Sequence, residues 1–284
     1  AKAGLGDRLR YIYLLDEPND AEAYETVRQW GTAIRDAATS VKVLVTEQTS
    51  PQKEEWGDLY GAVDIWVPLF PLFEPESAEK RQAKGEQIWT YTALCQGGKP
   101  TPWWQIDFPI AHYRSPAWIA WRHEMKGLLY WGGLTFWYHV DDPWTNPLTY
   151  QPGDRSLPIE KRAVYNGEGV LAYPAHDVGF EGIVPSMRLK VLRDALEDFD
   201  YLTILEKQGK REAALKVVDG VAKSWYDWTK DPEAYFAARQ ALAKLILGEA
   251  YPAPKPPSEE APEEPGEEKP GKTDLVLLSG GRLW

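Results

Sequence analysis

The stretch LRYIYLLDEP, residues 9–18, decides the fold that this sequence predicts. Its run of apolar and aromatic side chains is typical of a buried strand, and Pro18 ends the strand because proline has no backbone N–H to donate. Asp16 and Glu17 therefore stand at the carboxyl end of this strand. In parallel α/β folds, ligands bind at that end of the strands.

Strand and helix patterns alternate on the C-terminal side of this stretch. Strands are predicted at VKVLVTEQ (41–48), AVDIWVPLF (62–70), EQIWTYTAL (86–94) and LLYWGGLTFWYHV (128–140). Helices are predicted at 21–38 with Asp20 as N-cap, at ESAEKRQAKG, and at 116–127 with Pro116 in the first turn and Gly127 at the end. The alternation predicts an α/β fold with a parallel sheet and crossover helices, either an open doubly wound sheet or a barrel. No glycine-rich phosphate-binding motif follows a strand, so nucleotide binding lacks its usual support.

The C-terminal third is predicted to be helical and then extended. Apolar stripes after the long loop at 141–168 predict three helices, at 185–207, 211–225 and 232–247. Asp231 is the expected N-cap of the last helix, and Gly248 the residue at its end. The Pro- and Glu-rich segment 252–272 predicts a disordered linker, and TDLVLLSGGRLW looks like a strand of a further segment. We therefore expect the chain to be part of a longer protein.

Composition excludes several classes of protein. The chain has 284 residues, with 32 Lys and Arg against 43 Asp and Glu, and a net charge of −11. This acidic balance argues against a nucleic-acid backbone or an anionic membrane surface as partner, and no apolar run is long enough for membrane insertion. The single cysteine, Cys95, excludes an internal disulfide framework. The 14 Trp and 15 Tyr fit either a large aromatic core or flat plates that stack against sugar rings.

The adjacent carboxylates of Asp16 and Glu17 are the strongest candidates for chemistry. They repel each other, and partial burial at a strand end raises the pKa of at least one of the pair. A carboxylic acid that is still protonated near neutral pH is the proton donor that a leaving glycosidic oxygen needs. The alternative is structural, because Asp-Glu-Pro can form a turn before a helix, whose N-terminus favours carboxylates.

A second carboxylate for the same reaction is hard to find in the sequence. Two-carboxylate retaining glycosidases place a nucleophile about 5–5.5 Å from the acid. The later predicted strands offer none, and Glu47 after VLVT is the nearest candidate. This favours substrate-assisted hydrolysis, in which the 2-acetamido oxygen of the sugar attacks its own anomeric carbon. In that mechanism, one carboxylate of an Asp-Glu pair orients the acetamido N–H and the other protonates the leaving group.

Six short segments, in the right order, resemble one protein family. They are YIYLLDEPND, VDIWVP, KGEQIWTYTALC, KGLLYWG, NGEGVLAYP and VPSMRLKVLRDALEDFDYL, within residues 9–205. They are similar to the C-terminal catalytic part of glycoside hydrolase family 123, and equally to the related domain of unknown function 4091. The sequence departs from that pattern at Ala175 and Ala195, where the family more often has glycine. Both positions concern local backbone shape rather than chemistry.

The resemblance implies a (β/α)8 barrel behind an N-terminal β-sandwich, and β-N-acetylgalactosaminidase activity by substrate assistance. It implies that Asp16 orients the acetamido group and that Glu17 is the general acid/base. About the last five βα units of a barrel fit into this chain, so we expect a partial (β/α)8 TIM-type barrel followed by helices and a linker. The missing N-terminal half of the same protein is then a partner, and no cofactor is implied. We expect a secreted or periplasmic location if the parent protein carries a signal peptide.

The same reasoning divides the chain into four parts. Residues 1–208 are expected to form the C-terminal part of a glycosidase-like barrel, and residues 209–251 to add helices packed on it. Residues 252–272 are the expected linker, and residues 273–284 begin a further segment or a tail. The predicted function is that of a β-N-acetylhexosaminidase-like glycoside hydrolase. Two alternatives stay open: a non-catalytic carbohydrate-binding or scaffold module, and a two-carboxylate retaining glycosidase.

Aromatic residues near the predicted strand ends are candidates for binding a carbohydrate substrate. The candidates are Tyr91, Trp66, Trp131, Trp137 and Trp144, with Tyr138 beside them. Core packing is the alternative for each one, and we expect at least two of the set to contact the ligand. Tyr91 is the candidate for a hydrogen bond to the acetamido group. Asn146, in the long loop, is a candidate for a sugar hydroxyl, although turn formation explains it better.

Two further groups of polar residues have mainly structural explanations. His139, Asp141 and Asp142 lie close together, but the four histidines lack the spacing of metal ligands, and we predict no metal site. The helix predicted at 185–207 carries a dense set of charges at Arg188, Arg193, Asp194, Glu197 and Asp198. A solvated face with i,i+4 ion pairs is the first interpretation, and the resemblance favours a structural ion-pair network over catalysis.

Overall fold

The computed structural model describes residues 11–37, 40–93, 96, 100–131, 133–135, 140, 142–150 and 165–249, with only the backbone of 149 and 150. The predicted linker at 252–272 and the segment at 273–284 lie outside these residues. So do four candidates from the sequence: Trp137, Tyr138, His139 and Asp141.

Ten strands and six α-helices make up the described part of the chain. The strands are β1 (Tyr11–Leu15), β2 (Lys42–Val45), β3 (Ile65–Trp66), β4 (Gln87–Ile88), β5 (Thr90–Thr92), β6 (Leu128–Tyr130), β7 (Leu148–Tyr150), β8 (Tyr165–Asn166), β9 (Ala172–Pro174) and β10 (Ile183–Pro185). The helices are α1 (Ala21–Asp36), α2 (Pro75–Gln82), α3 (Ala111–Arg122), α4 (Met187–Lys207), α5 (Arg211–Val218) and α6 (Pro232–Leu247). Within the described ranges, no helix has the length and apolar character needed to cross a membrane.

Parallel strands dominate the N-terminal part of the chain. β1, β2, β3 and β4 pair in sequence order, and each neighbour is parallel. β5 follows β4 after a single residue, Trp89, and pairs in parallel with β6. The pairs β7–β8 and β9–β10 are antiparallel. The predicted α/β fold with a parallel sheet is therefore confirmed, and the strand predicted at 86–94 is divided at Trp89.

The first strand is less buried than the sequence predicts. Tyr11 and Tyr13 are 40% and 48% exposed. Successive side chains of a strand point to opposite faces, so these two tyrosines share one face. Among the described strands, β1 pairs only with β2, which leaves its outer edge and this face open.

A bulge interrupts the pairing of β1 with β2. Tyr13 lies opposite Leu44 and Leu15 lies opposite Val45, so Leu14 has no partner of its own. A bulge bends a strand and redirects the side chains that follow it. The two residues directly after this strand are the carboxylate pair.

Each face of the parallel sheet carries its own apolar cluster. Val43 and Val45 of β2 join the main core together with residues of the C-terminal helices, whereas Leu44 joins a second cluster. Likewise, Trp66 belongs to the main core and Ile65 to the second cluster. The division follows from the two-residue period of a strand.

Helix α3 begins five residues earlier than the sequence predicts. The sequence pattern places Pro116 in the first turn, whereas it lies inside the helix. A proline there leaves the carbonyl four residues earlier without its helical partner. The indole Nε1–H of Trp104 donates to that carbonyl, on His112, at 2.9 Å. Glu124, with a left-handed backbone at φ 57°, follows the helix end, three residues before the expected Gly127.

The predicted starts of α1 and α6 are confirmed. The Asp20 carboxylate caps α1 by accepting the N–H of Ala23 at 2.7 Å. Asp231 caps α6 through the N–H of Glu233 at 2.9 Å, and Gly248 follows this helix with φ at 79°. These ends could be predicted because capping uses residues that are adjacent in sequence.

Two other helix boundaries differ from the prediction. Helix α4 begins at Met187 because the Ser186 hydroxyl caps it, accepting the N–H of Leu189 at 3.2 Å. Helix α5 ends at residue 218 instead of 225. Beyond it, Trp225 turns into the core and stacks on Phe70 with ring centroids 4.1 Å apart.

Both alanines that stand where the family more often has glycine fit their positions. Ala175 is buried and has an ordinary right-handed backbone with φ at −76°. Ala195 is buried inside α4. Neither position therefore needs the conformational freedom of glycine.

The charge-dense part of α4 is partly buried, which corrects the prediction of a solvated face. Asp198 has no exposed surface, and its carboxylate accepts two hydrogen bonds from Arg114 on α3, at 2.7 and 3.2 Å. The indole of Trp118 donates to the same carboxylate at 3.0 Å, and Arg239 on α6 also binds it. The structure thus contains an ion-pair network that links α3, α4 and α6.

The remaining charges of that helix differ in their surroundings. Arg193 is exposed and pairs with Asp194 at 2.8 Å and Glu197 at 3.4 Å, as a solvated face predicts. Arg188 is only 7% exposed and donates to the carbonyl of Gly167 at 3.0 Å.

Replacing Asp198 by alanine is expected to lower the free energy of unfolding by about 3–5 kcal/mol, because it leaves buried guanidinium charge without its partner. Urea denaturation followed by circular dichroism measures this value. Asp200, exposed on the same helix, is the control, and Asp200→Ala should change the free energy by less than about 0.5 kcal/mol. Similar small effects of both variants would contradict the role assigned to the network.

Candidate active site

The carboxyl ends of β1 and β2 bring Asp16 next to Thr46. The Thr46 hydroxyl donates to Oδ1 of Asp16 at 3.0 Å, and the Tyr13 hydroxyl donates to the same oxygen. The two hydroxyl oxygens lie 3.1 Å apart. Two neutral donors from neighbouring strands therefore fix the orientation of the Asp16 carboxylate.

Glu17 has an unusual backbone and a perturbed side chain. Its φ is +42°, in the left-handed region, and its N–H donates to the Thr46 hydroxyl at 2.8 Å. The Tyr91 hydroxyl, from β5, donates to Oε1 of Glu17 at 2.5 Å. Burial raises the pKa of Glu17, the bond from Tyr91 lowers it, and the charge of Asp16 raises it further. The net result is a carboxyl that holds its proton to a higher pH than usual.

A pocket of about 300 Å³ opens at these strand ends. Residues of β1, β2, β5 and β6 line it, together with residues just beyond them: Tyr11, Tyr13, Asp16, Leu44, Thr46, Tyr91, Leu129, Tyr130 and Trp131. Its lining contains aromatic side chains and one carboxylate, that of the exposed Asp16, and the Tyr91 hydroxyl connects this wall to Glu17. An apolar cavity with a few convergent polar groups is the usual form of a small-molecule site.

A larger pocket of about 480 Å³ lies between α2 and the end of α3. Its arginines already have carboxylate partners: Arg122 pairs with Asp219, and Arg211 pairs with Glu124 and Glu206. Its lining does not include Asp16, which lines the smaller pocket. The smaller pocket is therefore the better candidate, despite its size.

The aromatic candidates divide between this pocket and other places. Tyr91 and Trp131 line the pocket. Trp66 does not, because it is 1% exposed in the core and its indole donates to Glu86 at 2.6 Å. Trp144 lies on another part of the surface, where its indole donates to the carbonyl of Pro174 at 2.9 Å. Trp137 lies outside the described residues.

Glu47 is close to the pair but is turned away from the pocket. It is 3% exposed and, like Glu17, it is not among the residues that line the cavity. Its Oε1 accepts the N–H of Gln48 at 2.9 Å, and its Oε2 accepts Nε2 of Gln52 at 2.8 Å. Burial raises the pKa of Glu47 to about 8, although these two bonds lower it. The charge of Glu17 adds to the rise. These contacts point to support of the site rather than attack on a ligand.

Several residues of the pocket were not singled out by sequence reasoning. They are Tyr11, Tyr13, Leu44, Thr46, Leu129 and Tyr130. One signal existed for the tyrosines, because Tyr11 and Tyr13 alternate on the strand that leads to the carboxylates. Thr46 is the first residue after β2, just as Asp16 is the first residue after β1. These equivalent positions were the second signal in the sequence.

Behind Tyr130 lies a buried polar cluster. The Tyr130 hydroxyl accepts the N–H of Gly169 at 2.7 Å and donates to the carbonyl of Trp104 at 3.1 Å. Glu168 is fully buried, and burial raises its pKa to about 8, although the charge of Arg188 and bonds from neighbouring side chains lower it. This cluster fixes one wall of the pocket from behind.

The loop after β6 contains a turn but no metal-binding group among its described residues. Asp142 accepts the N–H of Trp144 at 2.9 Å and the hydroxyl of Thr145 at 2.7 Å. Asn146 accepts the N–H of Leu148 at 3.1 Å, which is the turn that its residue type predicts. Across the described part of the chain, no three His, Cys, Asp or Glu side chains come together as a metal site would require.

Comparison with known proteins gives the family of the chain. A family model for the catalytic domain of glycoside hydrolase 123 matches residues 5–205. Among the curated proteins, no sequence matches this chain significantly.

One similar solved structure is a family 123 glycoside hydrolase from Clostridium perfringens, whose structural analysis concerned glycolipid glycan hydrolysis. Its TM-score is 0.60 at 14% sequence identity, and the match covers 87% of this chain and 42% of that one. At this identity the likeness shows the fold alone, and this chain spans less than half the length of that protein. Because the family model covers more than half of the chain, the chain belongs to the glycoside hydrolase 123 family through its catalytic domain.

Proposed function

We propose that this chain is part of the catalytic domain of a β-N-acetylhexosaminidase, of the N-acetylgalactosaminidase type, that acts by a substrate-assisted retaining mechanism. Family membership supports hydrolysis of glycosidic bonds. The observation that carries the finer proposal is the Asp16–Glu17 pair, which follows β1 beside an aromatic pocket and binds Thr46 and Tyr91 of other strand ends. The expected substrate is a carbohydrate.

Glu17 is proposed as the general acid/base. Its raised pKa keeps the carboxyl protonated closer to neutral pH, so that it can protonate the leaving oxygen. After the leaving group departs, the carboxylate accepts a proton from the water that completes hydrolysis. The Tyr91 hydroxyl favours the carboxylate form, and it therefore stabilises Glu17 after proton transfer.

Asp16 is proposed to orient the 2-acetamido group. Its carboxylate lines the pocket and can accept the acetamido N–H, which directs the carbonyl oxygen toward the anomeric carbon. A negative charge at this position also stabilises the positive charge that develops on the acetamido group. The bonds from Tyr13 and Thr46 hold the carboxylate in one orientation before the substrate arrives.

The pocket supports substrate assistance over a two-carboxylate mechanism. Among its described lining residues, Asp16 is the only carboxylate. Both oxygens of Glu47, the nearest alternative nucleophile, bind protein donors away from the cavity. A mechanism that takes its nucleophile from the substrate needs no further carboxylate.

The strand order supports the proposal of a partial barrel. Counting the divided β4–β5 strand once, five parallel strand positions follow one another from β1 to β6 in sequence order. A (β/α)8 barrel has this order around its whole circumference. The outer edge of β1, which no described strand pairs with, is then the place where preceding strands of the same protein would continue the barrel.

Glu17→Gln is expected to lower kcat on an alkyl β-N-acetylgalactosaminide by about 10²–10⁴-fold, because glutamine cannot donate the proton. On a p-nitrophenyl substrate the loss should be smaller, since that leaving group needs less protonation. Glu22→Gln on the first turn of α1 is the matched control and should keep wild-type rates. Equal rates of Glu17→Gln and wild type on the alkyl substrate would rule out the proposed role. Binding of the sugar by the wild type without any turnover would favour a non-catalytic module.

Substrates without the 2-acetamido group are expected to show little or no turnover, because the nucleophile is then missing. Asp16→Asn should lower kcat on the acetamido substrate by about 10²–10³-fold, through loss of an oriented charge. Aryl β-galactoside and aryl β-N-acetylgalactosaminide, assayed side by side, measure this difference. Rapid hydrolysis of the galactoside would favour the two-carboxylate mechanism.

The pH profile should respond to Tyr91→Phe. The Tyr91 bond lowers the pKa of Glu17, so its removal raises that pKa. Because the general acid must be protonated, the alkaline limb of the kcat/KM profile is expected to move to higher pH, while kcat falls about tenfold through loss of one hydrogen bond to a charged group. Tyr226→Phe, on the part of the chain after α5, should leave the profile unchanged. A shift to lower pH in Tyr91→Phe would contradict the assignment.

A further inference from the structure

The backbone at Glu17 is held in an unfavourable conformation. Its φ is +42°, and among the described non-glycine residues only Glu124, at +57°, also has a positive φ. The next residue is Pro18, whose ring also restricts the residue before it. A conformation of this kind persists only where the surrounding structure determines it.

Hydrogen bonds hold the chain on both sides of this residue. On the N-terminal side, the Glu17 N–H donates to the Thr46 hydroxyl at 2.8 Å. On the C-terminal side, Nε2 of Gln52 lies 3.2 Å from the carbonyl of Pro18 and 3.0 Å from the side-chain oxygen of Asn19. The loop after β2 therefore binds the two residues that follow the proposed acid.

Glu47 and Tyr24 hold Gln52 in turn. Oε2 of Glu47 accepts from Nε2 of Gln52 at 2.8 Å, and the Tyr24 hydroxyl accepts the backbone N–H of Gln52 at 3.1 Å. Glu47 is 3% exposed and Tyr24 1%, so both anchors belong to the packed interior. The side chain of Gln52 extends from these anchors to the segment after Glu17.

We propose that Glu47 and Gln52 are positioning residues for Glu17: they fix the Pro18–Asn19 segment and thereby direct the Glu17 carboxyl to the hydroxyl of Tyr91, a residue that lines the pocket. This proposal rests on the proposed role of Glu17 as general acid/base. It assigns Glu47 a supporting part, in place of the nucleophile's part that its position in the sequence suggests.

The charge state of Glu47 agrees with a supporting part. Burial raises its pKa to about 8, so most of the carboxyl is neutral at pH 7. A neutral group places no second full charge next to Glu17, whose own proton affinity then depends mainly on burial, Tyr91 and Asp16.

Gln52→Met tests the proposal, because methionine keeps the approximate size of the side chain and removes the amide. We expect kcat on aryl β-N-acetylgalactosaminide to fall by about 10–100-fold, as for a misplaced catalytic group, with KM changed by less than about threefold. Gln29→Met is the matched control, since Gln29 is exposed on α1 and its amide donates to Glu25 at 2.9 Å. Wild-type kcat in Gln52→Met would overturn the proposal.

Glu47→Ala separates positioning from nucleophilic attack. A positioning role predicts a lowered kcat that added azide does not restore. Restoration of turnover by azide, with the inverted α-glycosyl azide as product, would show that Glu47 is the nucleophile and would overturn the proposal. If this buried substitution prevents folding, the surface variant Gln52→Met still decides the question.

A crystal structure of Gln52→Met gives a readout that does not depend on activity. We expect φ of Glu17 to leave the positive region and the Tyr91–Glu17 hydrogen bond to break. Unchanged geometry at both places would overturn the proposal. If the wild-type chain does not hydrolyse the substrate, the proposed function fails, whereas this structural comparison still tests whether Gln52 holds Glu17.

Discussion

The hydroxyl of Thr46 joins both members of the carboxylate pair to the sheet. It accepts the N–H of Glu17 and donates to the side chain of Asp16. This arrangement depends on the bulge at Leu14, because a one-residue change of register exchanges the faces of every following side chain. The site is thus a consequence of how one strand ends, and the aromatic pocket is built around that end by the next strands.

The carboxylates of Asp198 and Glu17 differ because their partners differ. Asp198 lies between guanidinium groups, which keep its charge paired in the helical core. Glu17 instead meets a tyrosine hydroxyl and a second carboxylate, and burial raises its pKa. Asp198 is fully buried and Glu17 partly buried, yet the first carboxylate is paired with guanidinium groups and the second holds a proton that can be transferred.

The sequence was sufficient for features that depend on neighbours along the chain. Alternating apolar segments predicted the parallel sheet, and the capping residues Asp20 and Asp231 predicted two helix starts. The position of the carboxylate pair at a strand end was also readable. Features that depend on distant contacts could not be predicted from the sequence. Trp104 donates the hydrogen bond to the His112 carbonyl that Pro116 cannot donate, and nothing near that proline indicates this partner.

The same limit applies within the site. Trp66 and its neighbour Ile65 point to opposite faces of β3, so the placement of an aromatic residue at a strand end does not decide whether it lines the pocket. Gln52 lies in a loop, and its contact with the segment after Glu17 appears only when that loop folds beside α1. Residues that contact a ligand can be predicted from their type. Residues that orient other side chains cannot, because no nearby sequence pattern indicates them.

A strained residue is a suitable place for the acid because both of its flanks are fixed. Before Glu17, the bulged strand is bound to β2, and after it, Pro18 restricts the chain until Asp20 begins a capped helix. Little backbone is left free between these two elements, so the few side chains that bind it determine where the carboxyl points. A regular backbone would be less costly, but here the bonds of Glu17 to Thr46 and Tyr91 hold the carboxyl in one orientation, and proton transfer depends steeply on orientation.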